Sequence, residues 1–218
     1  MRIQKNSMSL TEKNLREKDF HNELQSKPKG RFENIFYKSI ANIWDDFYER
    51  LKKNARNSEV LDYGCGVGPS IIAVSNYQPK KIIGIDISEI SIKKAKDKTK
   101  YLGSMVELQV DNCEKTSFEN NQFDLVYGHG ILHHLELSRC LDEILRILKP
   151  GGSLTFIEPL GTNPIINLYR KLTPKSRSID EHPFTDRDLT FLKNKYKEVE
   201  IKYYGFLTLI FFPFYLNP

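Results

Sequence analysis

Apolar positions early in the chain recur at helical spacing. Phe36, Ile40, Ile43, Trp44, Phe47 and Leu51 fall three or four residues apart, which predicts an amphipathic helix over residues 30–55. From position 59 the pattern changes to short, nearly continuous apolar runs. Those at Glu59–Tyr63, Lys81–Asp86, 105–110, 123–127 and 153–158 read as buried strands. Helical segments separate them: 69–76, a helix capped by Ser88 with Ile90, Ile92 and Ala95 inward, and 138–148 with Leu141, Ile144, Leu145 and Leu148 apolar. Thr185 can cap a further helix over 186–196. Strands alternating with helices predict an α/β domain, a parallel sheet with helices on both faces.

The first strand runs into Gly64-Cys65-Gly66-Val67-Gly68, and Asp86 ends the second. Glycines at alternate positions let the backbone pass close to a ligand. A glycine turn after one strand and a carboxylate ending the next is how α/β domains hold a nucleoside. A dinucleotide fingerprint would place its third glycine at position 69, where this chain has Pro69, a residue suited to the first turn of a helix.

With Gly68 in that place, the pattern resembles the class I S-adenosylmethionine-dependent methyltransferases, of the type 11-like, small-molecule kind. Further motifs carry the resemblance. Asp111-Asn112 ends the third apolar run, Phe123-Asp124-Leu125-Val126-Tyr127 is similar to the family's fourth strand, and Gly128-His129-Gly130-Ile131-Leu132-His133-His134-Leu135 follows. Leu148-Lys149-Pro150-Gly151-Gly152 stands as a turn before the fifth strand. The similarity covers roughly residues 57–160. It implies a Rossmann-like, doubly wound sheet of seven strands, mostly parallel with one antiparallel. The sixth strand would begin at Val199 and the seventh lie near 210–216.

The same resemblance implies the site. Asp86 would accept from both ribose hydroxyls, with Ile87 beside it, and Asp111 from the adenine amino group, with the Asn112 backbone near the ring. Gly64, Gly66 and Gly68 would pass under the methionine part, where Asp62 holds its amino group or orders the loop. Gly128 and His129 would offer backbone contacts near the methionine tail. Methyl transfer displaces a neutral thioether, so the protein supplies alignment, exclusion of water and, for some acceptors, a base. His129, His133 and Glu158 are the principal candidates, followed by His134, Tyr127 and His182. The expected cofactor is S-adenosylmethionine, with S-adenosylhomocysteine as product.

Composition narrows the class without naming an acceptor. A chain of 218 residues with 39% hydrophobic positions suits one domain with a sizeable core. Cys65, Cys113 and Cys140 lack paired spacing, which speaks against a disulfide framework or a zinc site and for a reducing, cytoplasmic setting. No metal is expected. The polar N-terminus lacks a signal peptide's apolar core, and residues 1–29 read as loosely ordered ahead of a single domain over 30–218. Within it, 56–158 is the cofactor core, 159–184 a substrate-side lid and 185–218 the last helix and strands. The net charge of +5 is mild.

A small-molecule acceptor is the expected partner. The Asn/Asp-Pro-Pro-Tyr type of motif is missing after the fourth strand, so nucleic acid is not expected. The apolar run 210–216 reads as a buried strand, with a dimer contact or a membrane patch left open. A lipid-like or quinone-precursor acceptor is the alternative. Intact cofactor motifs imply binding rather than turnover, which leaves a non-catalytic cofactor-binding subunit as a further one.

Overall fold

Strand β1 (Glu59–Tyr63) is buried along its whole length after Glu59, and so are the four central residues of β2 (Lys81–Asp86). Continuous burial rather than alternation marks strands covered on both faces. The computed structural model describes residues 10–26, 42–162, 167, 170–171 and 178–205. Within them the helices are α1 (Glu12–Ser26), α2 (Asn42–Ala55), α3 (Pro69–Ser75), α4 (Glu89–Thr99), α5 (Leu137–Ile147) and α6 (Asp186–Lys195). The remaining strands are β3 (Val106–Val110), β4 (Phe123–His129) and β5 (Leu148–Ile157). The sheet order is β3-β2-β1-β4-β5 and every pairing is parallel. The chain winds outward from β1 to β3, then returns to add β4 on the other side of β1. This makes the β1/β4 junction the switch point where such sheets bind ligands.

Two apolar layers sandwich the sheet. On one side Leu61, Tyr63, Ile83, Ile85 and Val126 pack with Leu141, Ile144 and Ile147 of α5. On the other, Val60, Ile82, Leu125 and Tyr127 meet Phe47 and Leu51 of α2, Ile71 and Val74 of α3, and Ile92 and Ala95 of α4. The expected caps form: the Ser88 hydroxyl accepts from the Ser91 N–H at 3.0 Å, and Thr185 shares a capping box with Asp188. Each is worth about 1 kcal/mol. Leu145, one of the apolar positions of α5, is 41% exposed.

Three expectations are corrected. Residues 12–26 are not loosely ordered but form α1, which starts in a reciprocal cap. The Asn14 N–H donates to the Thr11 hydroxyl, and the Thr11 N–H to the Asn14 side chain. The Leu-Lys-Pro-Gly-Gly segment lies inside β5. There the register slips, Phe123 pairing with Leu148 but Leu125 with Ser153, so the five residues make a bulge. Finally, 198–205 is no strand. Side-chain bonds to α2 hold it instead: Lys202 and Tyr204 to Asp46, and Glu200 to Arg50. Tyr203 is left 61% exposed, so the apolar alternation finds no sheet to face. The expected strand at 210–216 and the helix opening at Asn163-Pro164 lie outside the described residues.

Candidate cofactor site

At the carboxyl end of β1 the chain turns through Gly64 and Gly66, both at positive φ (77° and 53°), and Gly68 caps α3 ahead of Pro69. The two turn glycines have different reasons. A Cβ on Gly64 would sit 2.6 Å from the Ile131 side chain, while one on Gly66 would meet nothing within 4 Å. Gly64 therefore makes room for the loop after β4, and Gly66 faces open space. Gly128 resembles Gly64, since a Cβ there would lie 2.6 Å from the Tyr63 carbonyl oxygen. Its demand is the close crossing of β4 and β1.

Asp86 joins the glycine turn to β2. One carboxylate oxygen accepts from the Gly66 N–H at 2.9 Å and the other from the Ser88 N–H at 2.9 Å. Each oxygen can take a second donor, and two vicinal hydroxyls are a fitting pair. Burial raises the Asp86 pKa above the usual carboxylate value, against the pull of those two N–H groups. Ile87 follows, half-buried. Asp62 lies beneath the turn, 1% exposed, and accepts from the Tyr127 hydroxyl at 3.0 Å. Burial, with the Asp86 charge nearby, pushes its pKa up to about 7.

Asp111 is more heavily used than its expected role requires. One oxygen accepts from the Gln109 side chain and from both the N–H and hydroxyl of Ser117; among the described residues the other accepts only from the Asn112 N–H, at 2.8 Å. Only that second oxygen keeps room for a ligand donor. Asn112, 3% exposed, donates to the Asn14 side chain of α1 at 3.2 Å.

The candidate bases separate into two groups. Glu158 accepts from the N–H groups of Ile131, Leu132 and His133, and meets His133 Nδ1 at 2.7 Å. It thus caps the short 3-10 turn Leu132–His134 that carries both buried histidines. His129 instead packs against rings of α2, with centroids 5.2 Å from Trp44 and 6.5 Å from Phe47. Burial lowers its pKa, favouring the neutral imidazole, against a smaller opposing pull from Glu158. His182 is 68% exposed along its side chain, 3.6 Å from Asp188, while its N–H donates to the His133 carbonyl at 2.7 Å. The described part of the 159–184 segment therefore returns to the turn after β4. Tyr127 is fully buried and committed to Asp62.

The residues missed from sequence are on α1. Asn14 touches Asn112 after β3, Asn22 accepts from the Ser88 hydroxyl after β2 at 2.6 Å, and Glu17 meets His134 after β4 at 3.1 Å. The helix lies across the ends of three strands. It has no apolar stripe to betray this: Asn14 and Glu17 are its buried residues, and Leu15 is 46% exposed. The available signal was the Thr11-x-x-Asn14 cap.

Residues 61–156, the span from the middle of β1 to the end of β5, match the profile of a methyltransferase domain family. This segment is similar to the methyltransferase domains of that family. A demethylmenaquinone methyltransferase of Bacteroides fragilis is 33% identical over 110 residues, 49% of this chain and 45% of that protein. A 24-methylenesterol C-methyltransferase of Arabidopsis thaliana is 31% identical over 118 residues, 53% of this chain and 33% of that one. The chain thus spans less than half the length of these two relatives. The PH0226 protein of Pyrococcus horikoshii shares the fold, with a TM-score of 0.60 at 24% identity, over 75% of this chain and 87% of the other. The match to a methyltransferase domain supports S-adenosylmethionine as the cofactor.

Proposed function

We propose that this protein transfers the sulfonium methyl of S-adenosylmethionine to an oxygen, nitrogen or carbon atom of a small-molecule acceptor. The observation that carries the reading is the Gly66–Asp86 hydrogen bond at the mouth of the sheet, which fixes a carboxylate with spare acceptor positions beside an open backbone turn. Asp86 would hold the ribose hydroxyls, the Asp111 oxygen that accepts from Asn112 the adenine amino group, and Asp62, beneath the turn, the methionine ammonium. Ile87, Asn112, Gly64, Gly68 and Gly128 would shape the walls. When bound, the cofactor supplies an electrophilic methyl and a thioether leaving group. The chain's residues align the acceptor and exclude water.

A protic acceptor would have to give up a proton as it takes the methyl group. We assign that proton to His129, whose neutral, proton-accepting form burial favours. Glu158 and His133 then position the turn after β4, since Glu158 is already committed to backbone donors. A reducing, cytoplasmic setting accords with three free, buried thiols. Among the described residues no helix is long and apolar enough to cross a membrane.

A second reading, a lipid-like or quinone-precursor acceptor met at a membrane surface, is compatible with the similarity to demethylmenaquinone and 24-methylenesterol methyltransferases. Methyl-labelled cofactor incubated with panels of phenols, amines and quinone precursors tests both readings. Label in a water-soluble product supports the first, and label only in a vesicle-borne product the second. Cofactor binding without label transfer to any acceptor or to quinone-loaded vesicles would point to a non-catalytic subunit.

A further inference from the structure

Where α1 crosses the mouth, three metal-ligating side chains converge from two elements. Glu17 and His21 lie four residues apart on one face of α1, and His134 comes from the turn after β4. Glu17 Oε2 is 3.1 Å from His134 Nδ1 and 3.6 Å from His21 Nε2. One ligand atom from each residue lies within 4.8 Å of both others. The Glu17 and His134 atoms are buried, and neither makes an aligned hydrogen bond among the described residues, although they face each other. Buried polar atoms without partners are costly and rare in folded proteins. Here they stand together beside the His21 ring.

We propose that Glu17, His21 and His134 bind one divalent first-row transition-metal ion, of the zinc type, which clamps α1 across the mouth of the cofactor site. Ligands at about 2.0–2.1 Å in a tetrahedral array stand about 3.4 Å from one another, close to the 3.1 and 3.6 Å at which Glu17 stands from the two histidines. Two imidazoles and one carboxylate suit zinc, cobalt or nickel, whereas magnesium and calcium favour oxygen donors. The Ser178 hydroxyl donates to the other oxygen of Glu17, as groups behind a metal ligand commonly do. His134 is 6% and Glu17 5% exposed, while the His21 side chain is 31% exposed, so the ion would enter from the His21 side and keep an open position there. The sequence argued against a zinc site from its cysteines. This one uses none, and two of its ligands lie in a segment whose helix was not anticipated.

The test uses the full-length, tag-free chain, stripped with a chelator and titrated with Zn²⁺ against a competing chelator, then with Co²⁺ followed by its visible absorption. The account expects one equivalent of Zn²⁺ per chain, a Co²⁺ spectrum of low coordination number, and no displacement by excess Mg²⁺. His21→Ala, at the most exposed ligand, should weaken Zn²⁺ binding at least 100-fold with the helical signal intact, and Glu17→Gln should do the same. Zn²⁺ should also slow amide exchange along α1 in the unaltered chain. Equal Zn²⁺ affinity in His21→Ala or Glu17→Gln, or no binding in the unaltered chain, would overturn the site. If His21→Ala loses the helical signal, His21→Gln keeps the question open to the same readout. Because metal content is measured without methyl transfer, the outcome is independent of the proposed activity.

Discussion

Asp86 and Gly66 stand 20 positions apart in sequence and are joined by one hydrogen bond. Asp86→Ala removes that bond together with the only carboxylate shared by the glycine turn and β2. It should weaken S-adenosylmethionine binding by two orders of magnitude or more, as expected when a charged hydrogen-bond partner is lost. Native affinity in the variant, measured by calorimetry, would place the ribose elsewhere. Asp62 makes a different prediction. Its pKa in the fold is about 7 against an ordinary 3.8. Between those values the folded chain keeps a proton that the unfolded chain has released, so stability falls as pH rises through that window. The loss is on the order of a few kcal/mol once both states are ionised. Asp62→Asn should abolish this slope, unfolding at higher denaturant than the parent at about pH 8 and converging with it toward about pH 4. Parallel stability curves for the two proteins would show that Asp62 is not held protonated.

At the scale of elements, the loop after β4 and helix α1 decide whether the site closes. Ile131 fills the space that Gly64 and Gly128 leave open. Gly64→Ala should therefore destabilise the fold by about 2–4 kcal/mol, from overpacking and from a non-glycine residue at positive φ. Adding Ile131→Ala should recover part of that loss, and thermal melts of the single and double variants read it directly. Thr11→Ala removes half of the reciprocal cap of α1 and should cost about 1 kcal/mol locally. Amide exchange in residues 12–26 should speed up while the β1 and β4 amides keep their protection. Strands β1, β2 and β4 were legible because burial makes their apolar runs nearly continuous, and helices α4 and α6 because Ser88 and Thr185 cap them. Helix α1 was not. Its buried side is Asn14 and Glu17, which look solvent-facing until they find Asn112 and His134. The segment 198–205 misled in the opposite sense: its apolar alternation suggested a strand, but Asp46 and Arg50 engage its polar side chains instead.

Across the whole molecule, the winding from β1 out to β3 and back to β4 brings the ends of four strands to one mouth. The cofactor residues were readable from sequence because their spacing follows that winding: a turn after β1, a carboxylate after β2, Asp111-Asn112 after β3 and Gly128-His129 after β4. Catalytic roles were less legible. Whether Glu158 serves the acceptor or the backbone depends on where the N–H groups of Ile131 and Leu132 point, and no spacing rule encodes that. His129→Ala should lower turnover 100-fold or more for a protic acceptor and leave cofactor affinity nearly unchanged. An equal loss in affinity would make it a binding residue. The most direct measurement is calorimetric titration of the full chain with S-adenosylmethionine and S-adenosylhomocysteine, beside Asp86→Ala and with NADH as a control. Both S-adenosyl ligands should bind, with strong weakening in the variant and no heat from NADH; binding of NADH alone, or S-adenosyl binding indifferent to Asp86, would overturn the site.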